Sequence, residues 1–353
     1  IFPENKRFGF FPGVSLGWRI SEEEFWKQHI SFVNSFKIRG SWGQTGNDRI
    51  DPYQFLSSYG FGNAAIFNGN IENKSLTELR IPNPNVTWEI ANQSNIGFDG
   101  ELLDGKFSFS ADYFSNLRTN ILHYRNASVP LSSGITLPRE NIGEVSNKGF
   151  EFELGYHNRS NEFSYSVSVN GGQQKNKIRF WDETPGAPEY QRSTGRPMNS
   201  SLYYQAIGIF RDEAAVDKYP HWANARPGDI IFEDVNGDGE INGLDMVRND
   251  KTNLPTFTGG LNIALEYKKV YASILFQGAT GALRTHHTFS GEAGNYYVED
   301  AIGRWTVDNP DATKPRTWNY SEEYWMNFPN TYWLRSTDYL RLKNLEVGYN
   351  FSG

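Results

Sequence analysis

Twelve residues, Asp234-Val-Asn-Gly-Asp-Gly-Glu-Ile-Asn-Gly-Leu-Asp245, carry the clearest chemical pattern in the chain. Oxygen-bearing side chains fall at positions 1, 3, 5, 9 and 12 of this stretch (Asp234, Asn236, Asp238, Asn242, Asp245), with Glu240 at position 7. Hard cations such as Ca2+ take about six to eight oxygens, and this is the spacing of a calcium loop. Gly239 stands at position 6, where such a loop turns sharply, and Ile241 at position 8 can anchor it on apolar neighbours. The pattern therefore predicts a structural Ca2+ bound by Asp234, Asn236, Asp238, Glu240, Asn242 and Asp245. Two features keep a second reading open. Asp at position 12 is shorter than the bidentate Glu of the motif, and Asn/Asp/Gly-rich segments also form surface turns that bind nothing.

No other constellation offers bond chemistry. There is no cysteine, which excludes disulfides, thiol nucleophiles and cysteine zinc sites. The six histidines are scattered apart from His286-His287, which reads as a solvated loop pair. Glu151 and Glu153 share a strand face and could pair as acid and base; wet-face carboxylates are the simpler reading. No glycine-rich loop leads into a helix to cradle phosphate. The expectation is a non-enzymatic protein. Loop aromatics are abundant instead: Trp222, Trp305, Trp318, Tyr320, Tyr324, Trp325, Tyr332 and Trp333. Such rings can stack on the C–H face of a sugar, or pack loops against each other or against a partner. Trp305, Trp318, Tyr320, Tyr324 and Trp325 are the substrate or partner contacts expected here.

These residues need elements to position them. The chain has 353 residues, of which 15% are aromatic (25 Phe, 19 Tyr, 10 Trp), yet only 38% are hydrophobic and the mean hydropathy is -0.61. Many aromatics in a polar chain suit strands with one apolar and one wet face. A net charge of -7 and the lack of a basic cluster argue against nucleic acid. No apolar run approaches the ~18 residues of a spanning helix, a test that strands escape.

Period-two alternation recurs. Residues 8–20 put Phe8, Phe10, Val14, Leu16 and Trp18 on one face, and 36–43 put Phe36, Ile38 and Trp42 opposite Lys37, Arg39 and Ser41. Between them Ser21-Glu-Glu-Glu-Phe-Trp reads as a capped helical turn. Residues 47–94 read as loop. A hairpin follows across Asp104-Gly105, with Ile96, Phe98 and Leu102 facing as Phe107, Phe109 and Tyr113 do. Further pairs join 150–156 to 163–169 near Arg159-Ser-Asn161 and 257–267 to 270–277 across Lys268-Lys269, and a last strand runs through Leu345, Val347, Tyr349 and Phe351.

Connections alternate between tight turns and long segments, roughly 47–94, 121–148, 180–255 and 284–338. Long structureless loops are unusual in a compact soluble domain, whereas short turns at one end and long loops at the other mark an outer-membrane barrel. The fold class expected is all-β: a transmembrane antiparallel β-barrel with long extracellular loops. The extended stretch Leu202–Phe210 is assigned to the long 180–255 extracellular insertion, because a barrel strand there would reverse every later strand. The competing architecture is a soluble antiparallel sandwich with its apolar face inward.

Seven stretches carry a family resemblance. They begin at Arg7-Phe-Gly-Phe-Phe-Pro-Gly, Phe36-Lys-Ile-Arg-Gly-Ser-Trp-Gly, Asn83-Pro-Asn-Val-Thr-Trp-Glu, Asn141-Ile-Gly-Glu-Val-Ser-Asn-Lys-Gly, Pro227-Gly-Asp-Ile-Ile-Phe-Glu-Asp, Arg304-Trp-Thr-Val-Asp-Asn-Pro and Tyr339-Leu-Arg-Leu-Lys-Asn-Leu-Glu. In order and spacing they resemble the SusC/RagA-type TonB-linked outer-membrane proteins of Bacteroidota. The resemblance implies part of a roughly 22-stranded barrel that imports large nutrients, oligosaccharide first and peptide second. It also implies TonB energy coupling, a SusD-like surface lipoprotein as lid and a setting in outer-membrane lipid. The chain starts at Ile-Phe-Pro and stops at Phe351-Ser-Gly353, so both ends read as cut. Residues 1–353 are expected to be about ten strands of that barrel, with the plug, the TonB-binding segment and the last strands elsewhere. Two other functions stay open: a soluble or surface glycan-binding β-protein with a calcium-stabilised loop, and a passive porin or surface scaffold.

Overall fold

A computed structural model describes residues 2–67, 69, 71–125, 137–287, 296–318 and 328–351. Strands β1 (Gly13–Trp18) and β2 (Val33–Asn47) open the chain, joined by a link that holds helix α1 (Glu24–His29). The helix lies in the stretch expected to carry it, but its start differs. Ser21 falls in a preceding 3-10 turn, and the N-cap Glu23 makes no capping bond. Glu23 instead accepts a hydrogen bond from the Trp18 indole at 2.9 Å, which fastens the link to the end of β1.

The stretch 47–94 is not all loop. It contains a two-stranded ribbon, β3 (Ser58–Phe67) and β4 (Ile71–Arg80), and the first residues of β5 (Glu89–Leu102). Strands β6 (Phe107–Tyr124), β7 (Arg139–Ser160) and β8 (Phe163–Phe180) follow. Small strands β9 (Leu202–Tyr204), β10 (Ala206–Ile209), β11 (Ile230–Phe232) and β12 (Met246–Arg248) belong to the next long connection. Strand β9 pairs with β12 and β10 with β11, and Tyr204 of β9 also bridges Asn330, so Leu202–Phe210 stays out of the main sheet as expected. Strands β13 (Phe257–Tyr267) and β14 (Val270–Thr280) return to the sheet, β15 (Leu283–Thr285) and β16 (Leu334–Ser336) form a small ribbon, and β17 (Tyr339–Tyr349) ends the order.

Nine strands make one antiparallel sheet in the order β1, β2, β5, β6, β7, β8, β13, β14, β17. Every neighbour in it is also the next sheet strand along the chain, a meander. Tight turns lie at one end. The β5–β6 turn spans 103–106 rather than two residues, with positive φ at Leu103, Asp104 and Gly105. The other two tight turns hold Asn161 and Lys268 at positive φ. All four long connections leave from the opposite end.

Register sorts the chemistry into faces. Gly100, Phe109, Leu154, Val169, Leu261, Phe276 and Leu342 are successive cross-strand partners on one face. Lys37, Asp99, Ser110, Glu153, Asn170, Gly260, Gln277 and Arg341 are partners on the other. The apolar face is open: Leu16 is 78% and Val347 69% exposed, and among the described residues no second large sheet covers it. A soluble sandwich would bury this face. Strand β13 is eleven residues long, about 33 Å of chain, or about 25 Å of height at barrel tilt, which is the height of a barrel's apolar band.

Candidate functional site

The polar face forms a wall. Arg39 of β2 donates from Nε to Asp99 at 3.0 Å and from its two terminal nitrogens to Asp112, so one guanidinium ties β2, β5 and β6. Gly97, the cross-strand neighbour of both Arg39 and Asp112, makes this reach feasible. A Cβ at Gly97 would lie 2.5 Å from Asp112 and 2.9 Å from Arg39. Beside this tie, a hollow of about 510 Å³ is lined by Asp112, Glu151, Glu153, Asn170, Gln277 and Lys343. Lys343 reaches it because a bulge pairs Leu275 with Asn344 but Phe276 with Leu342, leaving Lys343 as the extra residue. Glu151 and Glu153 thus face the wet side, as their alternation predicts.

Towards the long connections the same wall turns from charge to carboxamide. Gln93, Asn116, Asn147 and Asn176 are direct partners on four adjacent strands. With Arg118, Met198 and Leu254 they line a second hollow of about 660 Å³ between the sheet and the 181–256 connection. Met198 N–H donates to Asn176 Oδ1 at 2.6 Å and closes one side. Neither the Arg39 tie nor the amide row was singled out from the sequence. The alternation places each residue on the polar face; only the strand register reveals that they are adjacent.

The long connections carry most of the buried core. Tyr204, Trp222, Ile230, Phe232, Ile241, Trp318 and Trp333 pack together, with Phe210, Val216 and Ile231 beside them. Trp318 is 3% exposed and meets Trp333 edge-on at 6.3 Å between centroids. The expectation that Trp318 presents a surface ring therefore gives way to packing: its apolar ring is worth more inside this cluster than against water. Trp305 is only partly buried. Its indole donates to the Arg211 carbonyl at 3.0 Å, and its ring lies over Gly228, where φ is +89° and a Cβ would come within 2.6 Å of the ring. Tyr320, Tyr324 and Trp325 lie outside the described residues.

The 234–245 loop hangs from this core by Ile241, the anchor its position predicts. Gly237 and Gly239 take positive φ. Asp234 accepts from the N–H groups of Gly237, Asp238 and Gly239 at 2.8, 3.2 and 2.9 Å. Asp238 accepts from Glu240 N–H and from the Asn236 amide, which hold its carboxyl below the usual carboxylate range. Asn242 caps the 3-10 turn Gly243–Asp245. Asp245 is fully buried and accepts from Val235 N–H at 2.9 Å and Asn242 N–H at 2.8 Å, latching the two ends of the loop. Among the described residues no three Asp, Glu or His side chains converge on one point.

Comparison with known proteins places this geometry. The family model described as TonB dependent receptor-like, beta-barrel matches residues 2–352. TonB-dependent receptor P3 of Formosa agariphila is 29% identical over 99% of this chain, and TonB-dependent receptor SusC of Bacteroides thetaiotaomicron is 23% identical over 99%. The chain covers 35% of each of these relatives, about a third of their length. Among solved structures, one described as the RagAB peptide transporter superposes with a TM-score of 0.75 at 20% identity, over 99% of this chain and 38% of that one.

Proposed function

The chain belongs to the family of TonB dependent receptor-like β-barrels, and from that premise we propose that it forms part of the wall and the loop cover of an outer-membrane active importer. The solute is a large polar nutrient, an oligosaccharide in the first place and a peptide in the second. A SusD-like surface lipoprotein closes over the loops, and TonB supplies force through segments outside this chain.

The observation that carries this reading is the division of the sheet into faces. One polar wall of charges and carboxamides runs from the tight turns to the long connections, while the apolar face points outward and uncovered. Such a wall suits passage of a hydrated solute: side-chain donors and acceptors replace water one by one, with no bond made or broken. The long connections, packed on their own aromatic core, provide a firm rim on which a solute or a lid can seat. Peptide gains weight from the upper hollow, because none of the described residues lining it is aromatic, whereas a sugar site favours a stacking ring.

For the 234–245 loop we propose a weak structural Ca2+ site. Asp234, Asn236 and Asp238 supply side-chain oxygens, Glu240 and Asn242 flank them, and Asp245 latches the loop. The donors are of the right chemistry for a hard cation, and Asp234 Oδ2 and Asp238 Oδ1, which accept one backbone bond each, keep lone-pair capacity beyond it.

The test is uptake of labelled oligosaccharides and peptides by cells carrying the full-length protein, with and without TonB. Uptake lost without TonB supports active import. Uptake that persists would make the protein a passive porin, and a purified protein that stays monodisperse without detergent would end the barrel reading.

A further inference from the structure

The hollow between the sheet and the 181–256 connection sets a cation above a floor of amides. Two rows of cross-strand partners on the polar face build it. Gln93, Asn116, Asn147 and Asn176 form the carboxamide row. Two residues further towards the long connections, the next row reads Ala91, Arg118, Val145 and Ile178. Arg118 therefore stands in an otherwise apolar row, with Val145 and Ile178 beside it 7% and 5% exposed. The strand is fixed at this point. Pairing of β6 with β7 shifts register after Arg118, Asn120 takes a φ of +57°, and the Asn120 carbonyl accepts from Asn141 Nδ2 at 2.8 Å.

The hollow is left with open hydrogen-bonding groups. Among the described residues Arg118 makes no hydrogen bond or ion pair, although donors and acceptors surround it. Asp250, the carboxylate lining the hollow, is bridged by Arg196 at 2.5 Å. Asp112, on the same face of β6, lies about 20 Å further down the strand, more than a Debye length away, and Arg39 holds it. Lys175 and Lys177 line the hollow too, and neither forms an ion pair among the described residues. The amides are equally open. Asn116 and Asn147 make no side-chain hydrogen bond among the described residues. Gln93 donates from Nε2 to Thr45 at 3.1 Å and keeps its carbonyl oxygen; Asn176 accepts from Met198 N–H and keeps its Nδ2.

We propose that Arg118 and the carboxamides of Gln93, Asn116, Asn147 and Asn176 select acidic peptides among the solutes that reach the wall. Arg118 takes a carboxylate of the peptide, and the amides pair with its backbone. The inference rests on the importer reading above and gives its upper hollow a substrate class. Charge supports it, because an open guanidinium fork takes a carboxylate by two parallel N–H bonds, and the two lysines add to the positive field. A peptide is favoured over an acidic sugar because each Asn or Gln offers a donor and an acceptor side by side, as a peptide group does. No ring among the described lining residues is placed to stack on a sugar.

The experiment titrates the full-length protein, in mild detergent, with three fluorescent probes. One is a short peptide rich in Glu and Asp, the second its counterpart with Gln, Asn and a C-terminal amide, and the third an oligogalacturonate of the same charge as the first. The parent is expected to bind the acidic peptide at least about tenfold more tightly than the amide form, with the gap narrowing as salt rises. Arg118→Gln should bring the two peptide affinities together. Arg118→Lys, which keeps the charge without the fork, should preserve part of the gap. Failure to bind either peptide, equal binding of both by the parent, a gap that survives in Arg118→Gln, or tighter binding of the oligogalacturonate would each overturn the assignment. Those results leave the importer reading standing, since that reading fails on TonB-independent uptake or on a protein that needs no detergent.

Discussion

Asp229 accepts a hydrogen bond from Arg316 Nε at 2.7 Å, across 87 residues of chain and between two different long connections. The pair is nearly sealed from water, with side-chain exposures of 2% and 13%. Burial pushes the Asp229 carboxyl up from its ordinary range, and the positive charge of Arg316 opposes that push. The 181–256 segment and the described residues of 281–338 are thereby tied into one folded unit.

Removing the cation should release that unit. Arg316→Leu takes the larger of two positive charges from a buried carboxylate, leaving it the Arg226 N–H and the weaker field of the Arg226 charge, at a cost of up to about 3–5 kcal/mol. A carboxyl whose folded pKa is raised weakens the fold above that pKa, and the loss is relieved as pH falls through it towards the ordinary value near 3.8. Limited proteolysis at pH 7.5 should therefore cut the variant within the long connections faster than the parent, with the difference shrinking as pH falls towards the ordinary carboxylate value and the sheet untouched. Equal cutting of variant and parent at pH 7.5 would show that the Asp229–Arg316 pair does not hold the two connections together.

The two tryptophans proposed from sequence as contacts should separate. Trp318→Ala empties part of the aromatic core and should cost about 3–5 kcal/mol, seen as faster hydrogen exchange in β9–β12. Trp305→Ala should leave exchange in that core unchanged and weaken solute or lid capture. A Trp318→Ala protein with unaltered exchange would contradict its burial.

The 234–245 loop should respond to calcium. Chelation is expected to add protease cuts near Gly237–Gly243 while heat-dependent gel mobility, a measure of the barrel, stays the same. Asp238 is held low by Glu240 N–H and the Asn236 amide; its contribution is complete above the ordinary carboxylate range and is lost only as pH falls below it. Cuts should thus be equal at pH 7 and pH 6 in chelator. An identical pattern with and without chelator would leave an ordinary turn. Gly239→Ala, which forces a side chain into positive φ, should loosen the loop by about 1–2 kcal/mol.

Gly97 should be essential to the wall for the sake of Arg39. Gly97→Val would put a branched side chain where Asp112 and Arg39 meet, displace the guanidinium and leave Asp99 and Asp112 uncompensated. Arg39→Gln should mimic it. Both are expected to raise the preference of the open pore for cations, read as a shift in reversal potential across a planar bilayer. Unchanged selectivity would place the Arg39 tie away from the solute path.

Much of the sheet was legible because strand alternation is a local property: successive side chains point to opposite faces wherever backbone is extended. The runs of Ile96 to Leu102, Phe107 to Tyr113 and Phe257 to Val270 therefore appear where the period of two puts them. The ribbon β3–β4 did not, since its Gly, Asn and Ala residues alternate weakly and pairing between the two strands sustains it. The glycine positions and the Ile241 anchor of the 234–245 loop were legible for the same local reason. The identity of the wall residues was legible too; their adjacency was not.

The sequence by itself determined the class of fold, the polar and apolar faces, the alternation of short turns with long connections and the family. Each follows from residues close in the chain or from motifs in order. Only tertiary structure decided that Trp318 is core, that Asp229 meets Arg316, that Gly97 is the gap through which Arg39 reaches Asp112, and that Arg118 stands beside the carboxamide row. Those facts depend on register and burial between segments tens of residues apart, where no periodicity in the chain records which side chains will meet.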